Sequence, residues 1–266
     1  MVAGKSTLVR GLALLLFVAL PWMAGAQIIH VPTETPEQGR AFSEFNHRMA
    51  GVFLLAIGLL AIGSHVSPRL SFLGQVWPFL FLLPGLYLVV MSDPEVWPVG
   101  TQTWVRAFQE NAEARQHKIF ALVMIAMGIL EFLRARGKLR STLGTFSFPA
   151  LAVFGGVLLF FHPHNADEVP GKSGSGMAGM SHRDMGHEMP GMTHEMPAKD
   201  TGKVGHVMTE TMLRIQNQHF WFSMVGFAVA LLKFLHDGNF SKKPFVPYLW
   251  PSFISLLGLL LILYAE

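Results

Sequence analysis

Residues 176–197 read GMAGMSHRDMGHEMPGMTHEMP, which places six methionines and three histidines in 22 positions. Thioether sulfur is soft and selects Cu(I), while imidazole suits copper in either oxidation state and zinc. Met177, Met180, His182, Met185, His187, Met189, Met192, His194 and Met196 follow one another every two or three residues. That spacing offers many overlapping ligand sets instead of one rigid cage. The intervening Gly, Ser and Pro predict a loop with no packed structure of its own. Such a segment would load and exchange copper and would catalyse nothing. The bland alternative is a flexible linker that gathered methionines by drift, and the density of so rare a residue argues against it. The chain has no cysteine, which excludes disulfides, thiolate metal sites and cysteine nucleophiles. Methionine and histidine need no reducing compartment and fit an oxidising exterior.

Three more histidines stand at equivalent places in a repeated pattern. NHRMAGVFLLAIGLLAI from Asn46, QHKIFALVMIAMGILEF from Gln116 and QHFWFSMVGFAVALLKF from Gln218 align without gaps. Each opens with an amide residue followed by His47, His117 or His219. Small residues recur four positions later (Gly51, Ala121, Ser223) and eleven later (Gly58, Gly128, Ala230). On an α-helix those positions share one face, and small residues let helices approach closely in a membrane. The histidines are therefore expected on packed faces and at one depth. Three neutral imidazoles brought together make a metal site, with Asn46, Gln116 and Gln218 as candidate partners that orient the rings. A histidine that merely anchors a helix end is the alternative. His162 and His164, in FFHPH, flank the Met/His loop and are further candidate ligands or interface polar residues.

The elements that must position these residues are apolar. The 266 residues are 51% hydrophobic and 14% charged, with a mean hydropathy of +0.41. That balance predicts a membrane protein. Six apolar segments, at about 47–64, 76–91, 117–134, 147–162, 217–235 and 247–264, approach the roughly 20 residues that a span needs. The second member of each pair opens on an aromatic-Pro unit, at Trp77, Phe148 or Trp250, and carries Gly85, Gly156 or Gly258 eight residues on. The expected fold is an all-α polytopic membrane bundle of six transmembrane helices arranged as three two-helix repeats. Residues 1–26, with Lys5, Arg10, an apolar core and the small residues Ala24 to Ala26, read as a signal peptide; an uncleaved anchor is the alternative. The expected organisation is a signal peptide over 1–26, a first repeat over 27–96 and a second over 97–165. The Met/His loop over 166–205 and a third repeat over 206–266 complete it. VWPVGTQTWVRAFQENAEARQH, between the first two repeats, reads as an interfacial amphipathic helix. Basic residues after the third segment (Arg134, Arg136, Lys138, Arg140) and the fifth (Lys233, Lys242, Lys243) mark cytoplasmic loops. Both mature termini and the Met/His loop are then periplasmic, in a bacterial inner membrane.

The net charge of +3 is spread over short loops, which argues against nucleic acid. No phosphate loop, nucleophile elbow or acid/base carboxylate pair occurs, so no enzyme is expected. The Met/His run is similar to segments of exported bacterial copper-resistance proteins. An exported polytopic protein carrying it resembles the copper-resistance D (CopD) group of inner-membrane proteins. That resemblance implies copper handling between periplasm and membrane, for transport, resistance or delivery, with periplasmic copper chaperones or a membrane copper enzyme as partners besides the lipid bilayer. Two other readings stay open: a redox protein whose histidines ligate haem, and a scaffold or assembly subunit for a membrane copper enzyme.

Overall fold

The computed structural model describes residues 36–93, 95–139, 141–161 and 210–266. The signal peptide, His162, His164 and the whole Met/His loop lie outside the described residues. Eight α-helices are formed among them: α1 Pro36–Val66, α2 Leu73–Val76, α3 Phe79–Met91, α4 Trp104–Glu110, α5 Ala112–Ala135, α6 Thr142–Phe160, α7 Glu210–Asp237 and α8 Val246–Ile262. A single turn of 3₁₀ helix, Pro68–Leu70, follows α1, and no strand forms among the described residues.

Local signals set the helix ends. Thr103, Asn111 and Ser141 each accept a hydrogen bond from a backbone N–H in the first turn of α4, α5 and α6, which satisfies one of the orphan donors there. After α5, Gly137 adopts a left-handed φ of 67° while Lys138 N–H donates to Leu133 O. After α7, Asn239 does the same at 54°, with Phe240 N–H donating to Leu235 O. Glycine and asparagine tolerate that conformation and close the last turn. The interfacial helix expected over the loop before His117 is only the seven residues of α4, because Pro98 and Gly100 interrupt the stretch before it. Conversely, α1 and α7 begin well before the apolar segments they contain. Pro36 opens α1, where its missing N–H is no loss, and Gly39 is accommodated in the first turn, so His47 and His219 sit inside their helices and not at the first turn.

Three stretches are long and apolar enough to cross a membrane: Glu37–Val66, Pro68–Met91 and Glu210–Asp237. Gly144–Phe160 and Val246–Ile262 are apolar but shorter, and α5 interrupts its apolar run with Lys118 and Glu131. The all-α membrane class therefore stands, while among the described residues length and composition support three candidate spans and not the six expected.

The helices close a ring. α1 packs along α8, α8 along α7, α7 along α6, α6 along α5, α5 along α3, and α3 returns to α1. The most extensive contacts are α1 with α8, α6 with α7 and α3 with α5. Small residues make those contacts close. A Cβ at Gly258 would lie 2.5 Å from Leu55 N and one at Gly51 2.7 Å from Gly258 O. Between α3 and α5, a Cβ at Gly85 would meet Ile125 Cγ1 at 2.8 Å, and one at Gly128 would meet Pro78 O at 2.9 Å. Between α6 and α7, a Cβ at Gly156 would lie 2.7 Å from the Phe227 ring. Inside the ring, the buried Trp77, Phe148 and Trp250 form a triangle with centroid separations of 5.3, 6.1 and 6.5 Å.

Candidate metal centre and buried ion pairs

Residues of one helix face, which the sequence alone could align but not bring together, meet at the two ends of this ring. At one end α1 and α7 place the His47 and His219 rings 5.9 Å apart. His47 donates from Nδ1 to Ser43 O, one helical turn back, at 2.8 Å. That bond fixes the tautomer and leaves the lone pair on Nε2. Tyr264 stacks on His47 at 4.0 Å and lies 6.0 Å from His219, so it roofs the pair. Burial, reinforced by the Glu266 carboxylate that accepts from its hydroxyl, raises the Tyr264 phenol and keeps it neutral.

His117 donates from Nδ1 to Asp93 Oδ1 at 3.0 Å. A carboxylate behind an imidazole is the arrangement that orients metal-ligating histidines. The same Asp93 lies 3.3 Å from Lys118 Nζ, which also donates to Val89 O at 2.9 Å and Ser92 Oγ at 3.1 Å. Lys118 is fully buried, and the Trp104 ring stands 5.6 Å from its ammonium. It thereby satisfies a carbonyl left open at the C-terminal end of α3. Burial alone would raise the Asp93 carboxyl, but the His117 hydrogen bond and charge, Ser92 and Lys118 outweigh it. They hold the group below its ordinary value of 3.8.

The amides do not play the part expected of them. Gln116 donates to Leu158 O, and Gln218 donates to Ala265 O at 2.8 Å while accepting from Ala265 N. Asn46 is buried with no partner for its Oδ1 among the described residues. Gln116 and Gln218 bind neighbouring backbone because that backbone lies beside them in the ring, whereas Asp93 and Ser43 O stand behind the imidazoles. Nor do the three rings close a cage: among the described residues no group of three or more His, Asp or Glu is placed to hold an ion. What converges is a histidine pair.

At the other end, fourteen residues past each histidine of the repeated pattern, stand Ala61, Glu131 and Lys233. All three are buried. Lys233 Nζ lies 3.3 Å from Glu131 Oε2 and 2.8 Å from Asp237 Oδ2, and Arg134 reaches Glu131 at 3.1 Å and Asp237 at 2.8 Å. The Lys233 ammonium also lies over Trp250 at 4.6 Å and Phe148 at 5.4 Å. Two acids and two bases thus neutralise one another, as buried charges must. The sequence reading passed over Lys118 and Asp237, and it took Lys233 for a marker of a cytoplasmic loop, whereas Lys233 is buried inside α7 where its counter-charges lie. The available signal was a lysine inside an apolar run, once directly after the histidine and once at the position of Glu131 in the repeated pattern.

Residues 49–167, less than half of the chain, match the model of the LiaF transmembrane domain family. No curated protein and no solved structure matches. The resemblance to the copper-resistance D group is thereby overturned: the family that matches is a different one, and no copper-related family is found. The match and the long apolar helices together place this chain in the membrane. The physical reason for the miss is that an inventory of donor residues carries no information about the helices that surround it.

Proposed function

We propose that this is an integral membrane protein that captures copper, not an enzyme, with His47 and His219 as the paired ligands at the mouth of a six-helix ring. His117, held by Asp93, is the third histidine of the repeated pattern, and the Met/His segment with Met177 to Met196 supplies the soft donors that deliver the ion. The ring is three two-helix repeats. In support, α1, α5 and α7 each pack their small-residue face on the glycine-bearing helix of another pair: α1 on α8, α5 on α3 and α7 on α6. The His47 end faces the periplasm in this reading, and the basic residues Arg136, Lys138, Lys242 and Lys243 near the other end support it.

The observation that carries the proposal is the separation of the two rings. With a metal–nitrogen bond of roughly 2 Å, two imidazoles on one ion have centroids about 5 Å apart at a tetrahedral angle and about 6 Å apart when nearly linear. His47 and His219 stand at 5.9 Å. The donor set is soft to borderline and neutral, which favours copper over magnesium or calcium. Bound copper would draw on the Nε2 lone pair of His47, while Ser43 O and Asp93 hold the rings from behind.

The test is elemental analysis with an optical spectrum on protein purified from membranes. It is followed by the variant His47→Ala/His117→Ala/His219→Ala. Wild type is expected to retain copper after desalting, and the triple variant to lose the tightest copper. A Soret band in the wild-type spectrum would replace this reading with haem ligation, and unchanged copper content in the triple variant would refute the site.

A further inference from the structure

We infer that the same two helices hold a second copper-binding histidine pair, His65 and His236, at the opposite end of the ring. The metal's identity rests on the reading above, but the site itself is built from other residues. His65 lies 18 residues beyond His47 on α1, and His236 lies 17 beyond His219 on α7. At 1.5 Å per residue these spacings are about 27 and 26 Å, close to the thickness of a bilayer's hydrocarbon core. α1 and α7 thus bring one pair of rings together at each face of the membrane. His65 and His236 have centroids 5.7 Å apart, at an interplanar angle of 86°, inside the window of about 5 to 6 Å for two imidazoles sharing one ion.

The surroundings suit a cation that arrives from water. His65 is exposed, and His236 is partly covered by its stack on Trp250 at 6.4 Å. Tyr248 OH donates to His65 O at 3.1 Å and its ring stands 6.0 Å from the imidazole, which fixes the end of α1. Lys233 and Arg134 would repel a cation, but each is paired to Glu131 and Asp237, so these four charges sum to zero. Asp237, already neutralised by Lys233 and Arg134, lies 4.0 Å from His236 Nε2. Two imidazoles with no third protein donor in place make a weaker, more exchangeable site than a closed cage. That is the property a second station across a membrane needs.

The test is a titration of the full chain in detergent with Cu(I) against a chromophoric chelator. Three proteins are compared: wild type, His65→Ala/His236→Ala, and His47→Ala/His117→Ala/His219→Ala. The His65/His236 variant is expected to lose one copper per chain that the triple variant retains. Wild-type stoichiometry and affinities in the His65/His236 variant overturn this inference. Wild-type behaviour in the triple variant overturns only the His47 site. Carbethoxylation of the wild-type chain, read by mass spectrometry with and without Cu(I), needs no variant to fold. Copper is expected to protect His65 and His236 together, and unchanged labelling of both overturns the assignment.

Discussion

The two ends of the ring solve different problems with the same helices. At the His47 end two imidazoles lie under a tyrosine, and the charged groups stand around them: Glu266 on the Tyr264 hydroxyl, Arg48 paired with Glu44, and Lys118 with Asp93 behind His117. At the Lys233 end four charged groups are locked into one neutral network against an aromatic triangle. A neutral imidazole can be buried with one hydrogen bond and still offer a lone pair. A buried ammonium must find full counter-charge or it destabilises the fold. The difference is one of charge: under the proposed function the His47 end offers neutral donors, while the Lys233 end neutralises four buried charges among themselves.

The largest expected effect breaks that contrast. Lys233→Ala would leave Glu131 and Asp237 with only Arg134, and removing one partner of a buried ion pair costs about 3–5 kcal/mol. Thermal unfolding in detergent should show a large fall in Tm, with the copper of the His47 site intact in whatever protein remains folded. If Lys233→Ala melts like wild type, the network is not what holds that end.

A smaller effect tests the wall that both ends share. Gly258→Ala would push a methyl to 2.5 Å from the Leu55 backbone, and overpacking of this kind costs about 1–3 kcal/mol. Because Gly258 stands at the α1–α8 contact near Tyr264, the variant should also weaken the roof over His47. The expected result is a lower Tm together with looser copper binding, where Lys233→Ala changes Tm alone.

The smallest effect sharpens the assignment of Asp93. Its folded-state carboxyl titrates below 3.8, so the unfolded chain takes up the proton first as pH falls. The stability it contributes is complete above 3.8 and lost as pH drops through the lower folded value. Tm followed by acid titration should therefore hold until the pH passes below 3.8 and then decline, and Asp93→Asn should flatten that last limb. A decline that sets in near the ordinary histidine value of about 6.5 would assign the acid sensitivity to the imidazoles instead.

Much of this was legible in the residues. An apolar run cannot satisfy its backbone in a membrane except as a helix, and the spacing of Gly51, Gly58 and their counterparts marks a packed face on any helix. The shared helix face of His47, Gly51 and Gly58, and of their counterparts, follows from equal offsets in each chain segment.

Tertiary structure decided the partners. Asp93 and not Gln116 stands behind His117, because α3 ends beside α5 and delivers its last turn there. Glu131 meets Lys233 across 102 residues of sequence, and His65 meets His236, because the ring closes α1, α5 and α7 around one axis. Helical periodicity sets which residues share a face, since it arises from bonds four residues apart. Which faces meet depends on how six helices pack around each other, and no local pattern contains that answer.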